Sequence, residues 1–111
     1  MSEHFNIIAT VGTSEVDLAP YPNGSSTTPV GKTRKIYVVI LTNTSTGPNT
    51  LTLRIYKDTT LEKSFNITIS SPGSLAMTNE KHPILIIPSG RTFKAIASAA
   101  SMDVLMTGVD E

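Results

Sequence analysis

The sequence predicts an all-β fold, because its apolar residues follow strand patterns throughout and a helical period over no useful length. The longest unbroken apolar run, Ile36–Leu41, is rich in β-branched residues and is closed at both ends by polar turn formers. A run this short has the length of a strand, since a buried helix needs about ten or more residues. Residues 50–58 and 64–70 alternate apolar and polar side chains, as strands with one buried face do.

Turn signals recur about every 8–12 residues, which is typical of a β-sandwich or a small barrel. We predict an antiparallel, jelly-roll-like β-sandwich of seven to eight short strands with no long helix. One domain should span residues 1–111, because this length suits a single core and no repeat divides the chain. The run 36–41 is predicted to be the central strand, because it is apolar on both faces.

The other strands are predicted from alternation between turn signals. In the first strand, every second residue from Phe5 to Val11 is apolar and falls on one face. Residues 74–82 are weakly patterned and are predicted to connect the two sheets. The remaining predicted strands lie at 16–18, 50–58, 64–70, 84–87, 92–98 and 102–109.

Composition argues against several classes of partner. Cysteine is absent, which excludes disulfides and thiolate metal sites. Nine Lys and Arg balance nine Asp and Glu, so the basic excess typical of nucleic-acid binding is missing, and no nucleic acid is expected. No apolar stretch approaches the roughly 20 residues that cross a bilayer. The start of the chain lacks a signal-peptide pattern, so we expect no membrane partner and synthesis in a cytoplasm.

The sequence contains no reactive constellation. His4 and His82 are far apart in polar surroundings, whereas a metal site needs three or four ligands. No serine lies in a Gly-x-Ser-x-Gly elbow, and no carboxylate pair has a spacing that suggests general acid and base. Asp103, on the outer face of the last predicted strand, is interpreted as a carboxylate that faces water. We therefore predict no catalytic, metal-binding or cofactor-binding residue, no cofactor and no enzyme activity.

An apolar outer face is the one positive feature. Strict alternation along the central run assigns Ile36, Val38 and Ile40 to the interior. The alternate apolar residues then lie on the outer face, which a sandwich normally leaves to water. Cover by the long loop, a curled sheet or another subunit would each account for such a strip. The predicted subunit-contact residues, which include two apolar residues at polar positions of other strands, are Ile8, Tyr37, Val39, Leu41 and Ile96.

Two segments are candidates for contacting a neighbouring molecule, namely residues 1–11 and the loop 19–32. The loop contains three prolines and two glycines, and its length of about 14 residues exceeds the usual 4–6. It is either a surface excursion that joins two strands or an arm that reaches a neighbour.

Five short motifs follow one another along the chain: Gly31-Lys32-Thr33, Asn43-Thr44, Pro72-Gly73, the segment Ile84–Phe93, and the terminal Gly108-Val109-Asp110-Glu111. This layout resembles that of small all-β structural proteins from the virions of tailed bacteriophages. The resemblance covers residues 31–111, whereas residues 1–30 depart from the pattern and leave the role within the virion open.

The resemblance implies a non-enzymatic virion protein, made in the host cytoplasm, and foremost a capsid decoration or cement protein that stabilises the shell. A tail, head-spike or fibre-base component is the alternative within the same group. The implied partners are further copies of the chain, with a trimer favoured, and the major capsid protein or another virion protein. The alternative from another class is a carbohydrate- or ligand-binding β-sandwich module, but the chain has no Trp and only three Tyr on which a sugar would stack.

Overall fold

Strand pairing organises the chain into two antiparallel sheets. The computed structural model describes residues 3–71 and 73–111, and over these residues the chain forms nine β-strands and no helix. The predicted all-β class with antiparallel sheets is confirmed, whereas the predicted number of seven to eight strands is wrong. The strands are β1 (Glu3–Val11), β2 (Val16–Asp17), β3 (Arg34–Asn43), β4 (Asn49–Lys57), β5 (Thr60–Ile69), β6 (Gly73–Thr78), β7 (Leu85–Ile87), β8 (Arg91–Ala97) and β9 (Met102–Asp110).

The two sheets enclose one apolar core in a sandwich-like arrangement. The first sheet has the strand order β1-β9-β3-β6, and the short β7 also pairs with β3. The second sheet has the order β2-β8-β4-β5. Inward-facing residues of both sheets form the core, in which Ile7, Leu41, Phe93 and Met106 are fully buried. Burial of this apolar surface is the main force that holds the sheets together.

β3 lies inside the first sheet, as predicted, but its faces differ from strict alternation. A β-bulge between Ile36 and Val38 shifts the register of β3 against β9. Ile36, Val39 and Leu41 therefore all point into the core and are fully buried. The predicted outer position of Val39 and Leu41 is wrong, because the extra residue reverses the side-chain alternation that follows it.

β6 is the additional strand, which was not predicted from the sequence. It occupies part of the segment 74–82, which was predicted to connect the two sheets. It pairs with β3 in antiparallel register, from Val38 opposite Thr78 to Asn43 opposite Gly73. Its own pattern is weak because it carries few large apolar residues. β6 forms because it pairs with the edge of β3. The pattern of residues within β6 does not reveal this partner.

The loop 19–32 does not extend from the domain but closes one lateral side of the two sheets. The Tyr21 N–H donates to the carbonyl oxygen of Asn6 in the first sheet at 2.7 Å. In the second sheet, the Phe93 N–H donates to the carbonyl oxygen of Ser26 at 2.9 Å. The loop thus ties the two sheets together within one molecule.

The other candidate arm, residues 1–11, is also part of the domain as far as it is described. β1 pairs with β9 along its whole length. Met1 and Ser2 lie outside the described residues. The same holds for Pro72 of the Pro72-Gly73 motif.

Gly108 lies in β9 where no side chain fits. A Cβ at this position would overlap the carbonyl oxygen of Lys35 and the ring of Phe5. We expect Gly108→Ala to lower the free energy of unfolding by about 1–3 kcal/mol, because an overpacked site displaces its neighbours. Urea unfolding measures the change, with Gly12→Ala as the control, since a Cβ at Gly12 meets no atom within 4 Å. Equal stability of the two variants would contradict the close packing around Gly108.

Candidate interaction surfaces

The titratable residues singled out from the sequence do not converge. Among the described residues, no group of three or more His, Cys, Asp or Glu side chains could hold a metal ion. His4 and His82 are exposed, and Asp103 is an exposed residue of β9 that accepts a hydrogen bond from Thr10 Oγ1 at 3.0 Å. Residues 3–71 and 73–111 include no helix long and apolar enough to span a membrane. The candidates for function are therefore surfaces.

An apolar row crosses the outer face of the first sheet at right angles to its strands. Strand register places Ile8 of β1 opposite Leu105 of β9, and Leu105 opposite Ile40 of β3. Ala76 of β6 continues the row. Ile8 is 55% exposed and Leu105 is 38% exposed. Because a sandwich normally presents polar residues here, we treat these four residues, called the outer row, as a candidate interaction surface.

Two shallow depressions lie on the outer face of the first sheet, at different positions along its strands. One, with a volume of about 490 Å³, is lined beyond the row by Thr10, Thr42 and Asp103. The other, of about 610 Å³, lies towards the opposite ends of the same strands, and Tyr37 and Val38 contribute to its lining. Ile8, Ile40 and Leu105 of the outer row themselves line the first depression, so the row forms part of its floor.

The structure separates the five residues that were predicted to form a subunit contact. Ile8 and Tyr37 lie on the outer face of the first sheet. Val39 and Leu41 are in the core. Ile96 of β8 lies opposite Thr52 on the outer face of the second sheet. Ile8 is the only one of the five that belongs to the outer row.

Three members of the outer row, Leu105, Ile40 and Ala76, were missed by sequence reasoning. A signal for Leu105 was present, because it is an apolar residue at an outer position of the last predicted strand. Ile40 was assigned to the interior because the bulge in β3 is not apparent in the sequence. Strand register then brings the side chains of Leu105 and Ile40 together on one face.

The outer face of the second sheet is polar and its charges are already engaged. Glu15 accepts hydrogen bonds from Arg54 Nη1 and from the Tyr56 hydroxyl, both at 2.8 Å. The Lys94 ammonium lies 3.6 Å from a carboxylate oxygen of Asp17 and 5.5 Å from the centre of the Tyr56 ring. The two outer faces therefore differ in character, and only the first presents an apolar band.

The network around Glu15 makes stability depend on pH. Hydrogen bonds from Arg54 and then from Tyr56 lower the pKa of Glu15 below its ordinary value of 4.5. A lowered folded-state pKa stabilises the fold above the unfolded-state pKa, and this stabilisation is lost as the pH falls through the folded-state value. We expect Glu15→Gln to reduce stability at neutral pH by less than about 1 kcal/mol, because the group is partly exposed.

Thermal unfolding of wild type and Glu15→Gln, followed from neutral pH to well below 4.5, tests this expectation. The two melting temperatures should converge at the acidic end, where the wild-type carboxyl is protonated as well. Glu80→Gln, which alters an exposed residue outside the ion pairs of the described residues, is the matched control. A Glu15→Gln difference that stays constant over the whole range would contradict the assignment.

The lateral side opposite the loop 19–32 is open. β5 is the last strand of the second sheet, and β6 and β7 form the neighbouring edge of the first sheet. Between these edges lies an apolar groove with two parts of about 260 and 550 Å³, and Phe65 lines both. Phe65 is 39% exposed and Ile86, on the opposite side, is 52% exposed. Lys63 lines the larger part. We call this feature the open groove.

A buried ion pair was not predicted from the sequence. Arg34 Nε and Nη2 donate to the two carboxylate oxygens of Asp110 at 2.8 and 2.9 Å, and Nη1 donates to the carbonyl oxygen of Ser25 at 2.8 Å. The guanidinium carbon also lies 4.9 Å from the centre of the Phe5 ring. A signal was available, because alternation from Met102 places Asp110 on the inward face. The pair connects β3, the end of β9 and the loop 19–32, so its role is structural.

The outer row and the open groove are thus two apolar surfaces that the described part of the fold leaves accessible. They belong to different sides of the domain, since the row crosses the face of the first sheet and the groove follows a lateral edge. No family model and no curated protein sequence matches this chain. Function is therefore inferred from these surfaces and from the layout of motifs.

Proposed function

We propose that this chain is a non-enzymatic structural protein of a virion, foremost a decoration protein that stabilises the capsid shell. The observation that carries the proposal is the outer row, an apolar band across the exposed face of a sheet. Holding apolar side chains in water is unfavourable, and burial against a neighbouring molecule removes this cost. The zero formal net charge of the chain also favours association.

The strand order supports the finer fold assignment, a jelly roll, that accompanies this proposal. If the short β7 is set aside, the chain forms one long antiparallel ribbon in which β1 pairs with β9, β2 with β8, β3 with β6 and β4 with β5. Rolling this ribbon brings β9 beside β3 and β8 beside β4. Eight-stranded jelly rolls are common in viral capsid proteins, and they also occur in lectins.

The environments of two of the three tyrosines favour assembly over carbohydrate binding, whereas Tyr21 is 64% exposed and offers a ring for stacking. A sugar site usually offers an exposed aromatic ring for stacking. The ring of Tyr56 is contacted by Lys94, and its hydroxyl is bonded to Glu15. Tyr37 is half-buried on the other sheet. A carbohydrate-binding module is therefore the second candidate, and a reproducible hit on a glycan array with no oligomer in solution would reverse this order.

In this proposal, further copies of the chain cover the apolar surfaces, and the assembled oligomer binds the major capsid protein or another virion protein. A tail, head-spike or fibre-base role would require the same self-association and differs in the position within the particle. The protein would accordingly be made in the host cytoplasm and reside in the virion.

Two measurements test the proposed function. Light scattering should give the recombinant protein a mass of several chains, and antibodies raised against it should label the shell of particles purified from the source of the sequence. Antibody label confined to the tails or spikes of the particles would favour the alternative role within the virion. A monomer at every concentration, together with intact particles that remain unlabelled, would overturn the proposal.

A further inference from the structure

We propose that copies of this chain assemble through one repeated contact, in which the open groove of one copy receives the outer row of the next. This inference rests on the proposed function, since it takes the outer row to be an assembly surface. It adds the identity of the partner, which is a different surface on a second copy of the same chain.

The presence of two unlike apolar surfaces favours a head-to-tail contact. A two-fold contact pairs a surface with itself, so pairing of outer rows would leave Phe65 and Ile86 in water. Pairing of grooves would in turn leave Ile8 and Leu105 exposed. A heterologous contact buries one surface of each kind at every interface, and it closes into a ring when the rotation between copies allows it.

The area of the outer face is adequate for such a contact. The strands β1, β9, β3 and β6 have 9, 9, 10 and 6 residues. At about 3.3 Å per residue and about 4.8 Å between strands, the face measures about 540 Å². Burial of this face and an equal area around the groove removes about 1,100 Å² from water, just above the roughly 1,000 Å² expected of a biological interface. A single contact is therefore large enough for association, and repetition around a ring strengthens it.

The relief of the two surfaces also matches. Along β9, one depression is lined by residues 103–105 and the other by residues 107–109. Their centres are four residues, or about 13 Å, apart. The edges on either side of the open groove belong to two sheets, and stacked sheets lie about 10 Å apart. A groove seated on this face thus places one edge in each depression, and one of these edges contacts the outer row. Two such faces packed together would instead enclose voids.

Charge is complementary at one end of this arrangement. Lys63 lines the open groove, and Asp103 lines the depression of about 490 Å³. Among the described residues, neither side chain takes part in an ion pair. Seating the groove on the outer row with the Lys63 side over this depression brings the opposite charges together. The reversed seating would place Lys63 near Glu80, which lines the depression of about 610 Å³, so exchange of charges decides between the two orientations.

A complementation experiment distinguishes this contact from the alternatives. The row variant combines Ile8→Glu with Leu105→Glu, and the groove variant combines Phe65→Glu with Ile86→Glu. Each variant alone should be monomeric by light scattering, because each lacks one half of every contact. An equimolar mixture should form a one-to-one heterodimer, since one intact row and one intact groove remain. Val30→Glu, at an apolar residue that is 91% exposed and lines neither surface, is the control and should keep the wild-type mass.

Other outcomes would overturn the contact. If the groove variant keeps the wild-type mass while the row variant is monomeric, the outer row pairs with itself. If neither variant changes the mass, the copies assemble elsewhere. In both cases, antibody labelling of the virion shell would still support the proposed function. If the wild-type chain is monomeric and its antibodies do not label the particles, the proposed function is overturned as well.

Exchange of charges provides a second readout that does not disturb apolar packing. Lys63→Glu should weaken association by up to about fivefold, which is the range of an exposed ion pair. Asp103→Lys in the same chain should restore it, because the pair is re-formed with reversed signs. Unfolding curves that match wild type show that both variants are folded. Additive weakening in the double variant would overturn the proposed orientation.

Discussion

Asp110→Ala is expected to lower the free energy of unfolding by about 3–5 kcal/mol, the range for removing one partner of a buried ion pair. Arg34 is 2% exposed in its side chain and directs two of its nitrogens at the Asp110 carboxylate. Without that carboxylate, the guanidinium charge stays buried and uncompensated. The contact between Arg34 and Ser25 should weaken as well, so the loop 19–32 loses part of its attachment.

Urea unfolding of Asp110→Ala measures this effect, and two further variants identify its cause. Lys35→Met removes an exposed ion pair with Glu111, next to the buried one, and should change stability little. Arg34→Met combined with Asp110→Leu should recover much of the loss, because apolar residues of similar volume often replace a buried pair at small cost. An Asp110→Ala chain as stable as Lys35→Met would show that the pair is not buried in solution.

Leu41→Ala is expected to destabilise the protein by about 2–5 kcal/mol, because it leaves a cavity in the core. Leu41 is fully buried, whereas its neighbour Ile40 is half-buried on the outer face. Ile40→Ala should therefore cost clearly less in unfolding free energy. Strict alternation from Ile36 predicts the opposite order, so the two variants report directly on the bulge between Ile36 and Val38.

Unfolding should be measured on dilute protein, so that self-association does not add to the stability of the wild type. Ile40→Ala should instead weaken the assembly, since Ile40 belongs to the outer row. If Ile40→Ala were the more destabilising of the two in the dilute protein, the bulge would be absent and the sequence-based assignment of faces would hold.

Local pattern was sufficient for the strands whose faces are unambiguous. Alternation placed Ile7 and Val11 of β1, and Met102 and Met106 of β9, on the inward face, and all four are buried. The alternating segments 50–58 and 64–70 correspond to β4 and β5, which pair with each other in antiparallel register. In these segments the two-residue period of a strand is regular, so the sequence and the pairing agree.

The misassignments have a common origin in contacts between distant segments. The faces of β3 after Tyr37 depend on its pairing with β9, which begins more than fifty residues later. β6 is a strand because the edge of β3 is available to it. The attachment of the loop 19–32 depends on hydrogen bonds to both sheets. None of these partners is encoded in the residues next to the segment concerned.

By itself, the sequence determined the all-β class, the absence of cysteine chemistry and the positions of the regularly alternating strands, because these follow from composition and from periods read over a few residues. Tertiary structure alone decided which apolar side chains remain outside. The bulge moved Val39 and Leu41 into the core and Ile40 out of it, and strand register aligned Ile40 with Leu105 and Ile8. Which residues form a surface is set by pairing between strands distant in the chain, since a one-residue shift in one strand reverses every face beyond it.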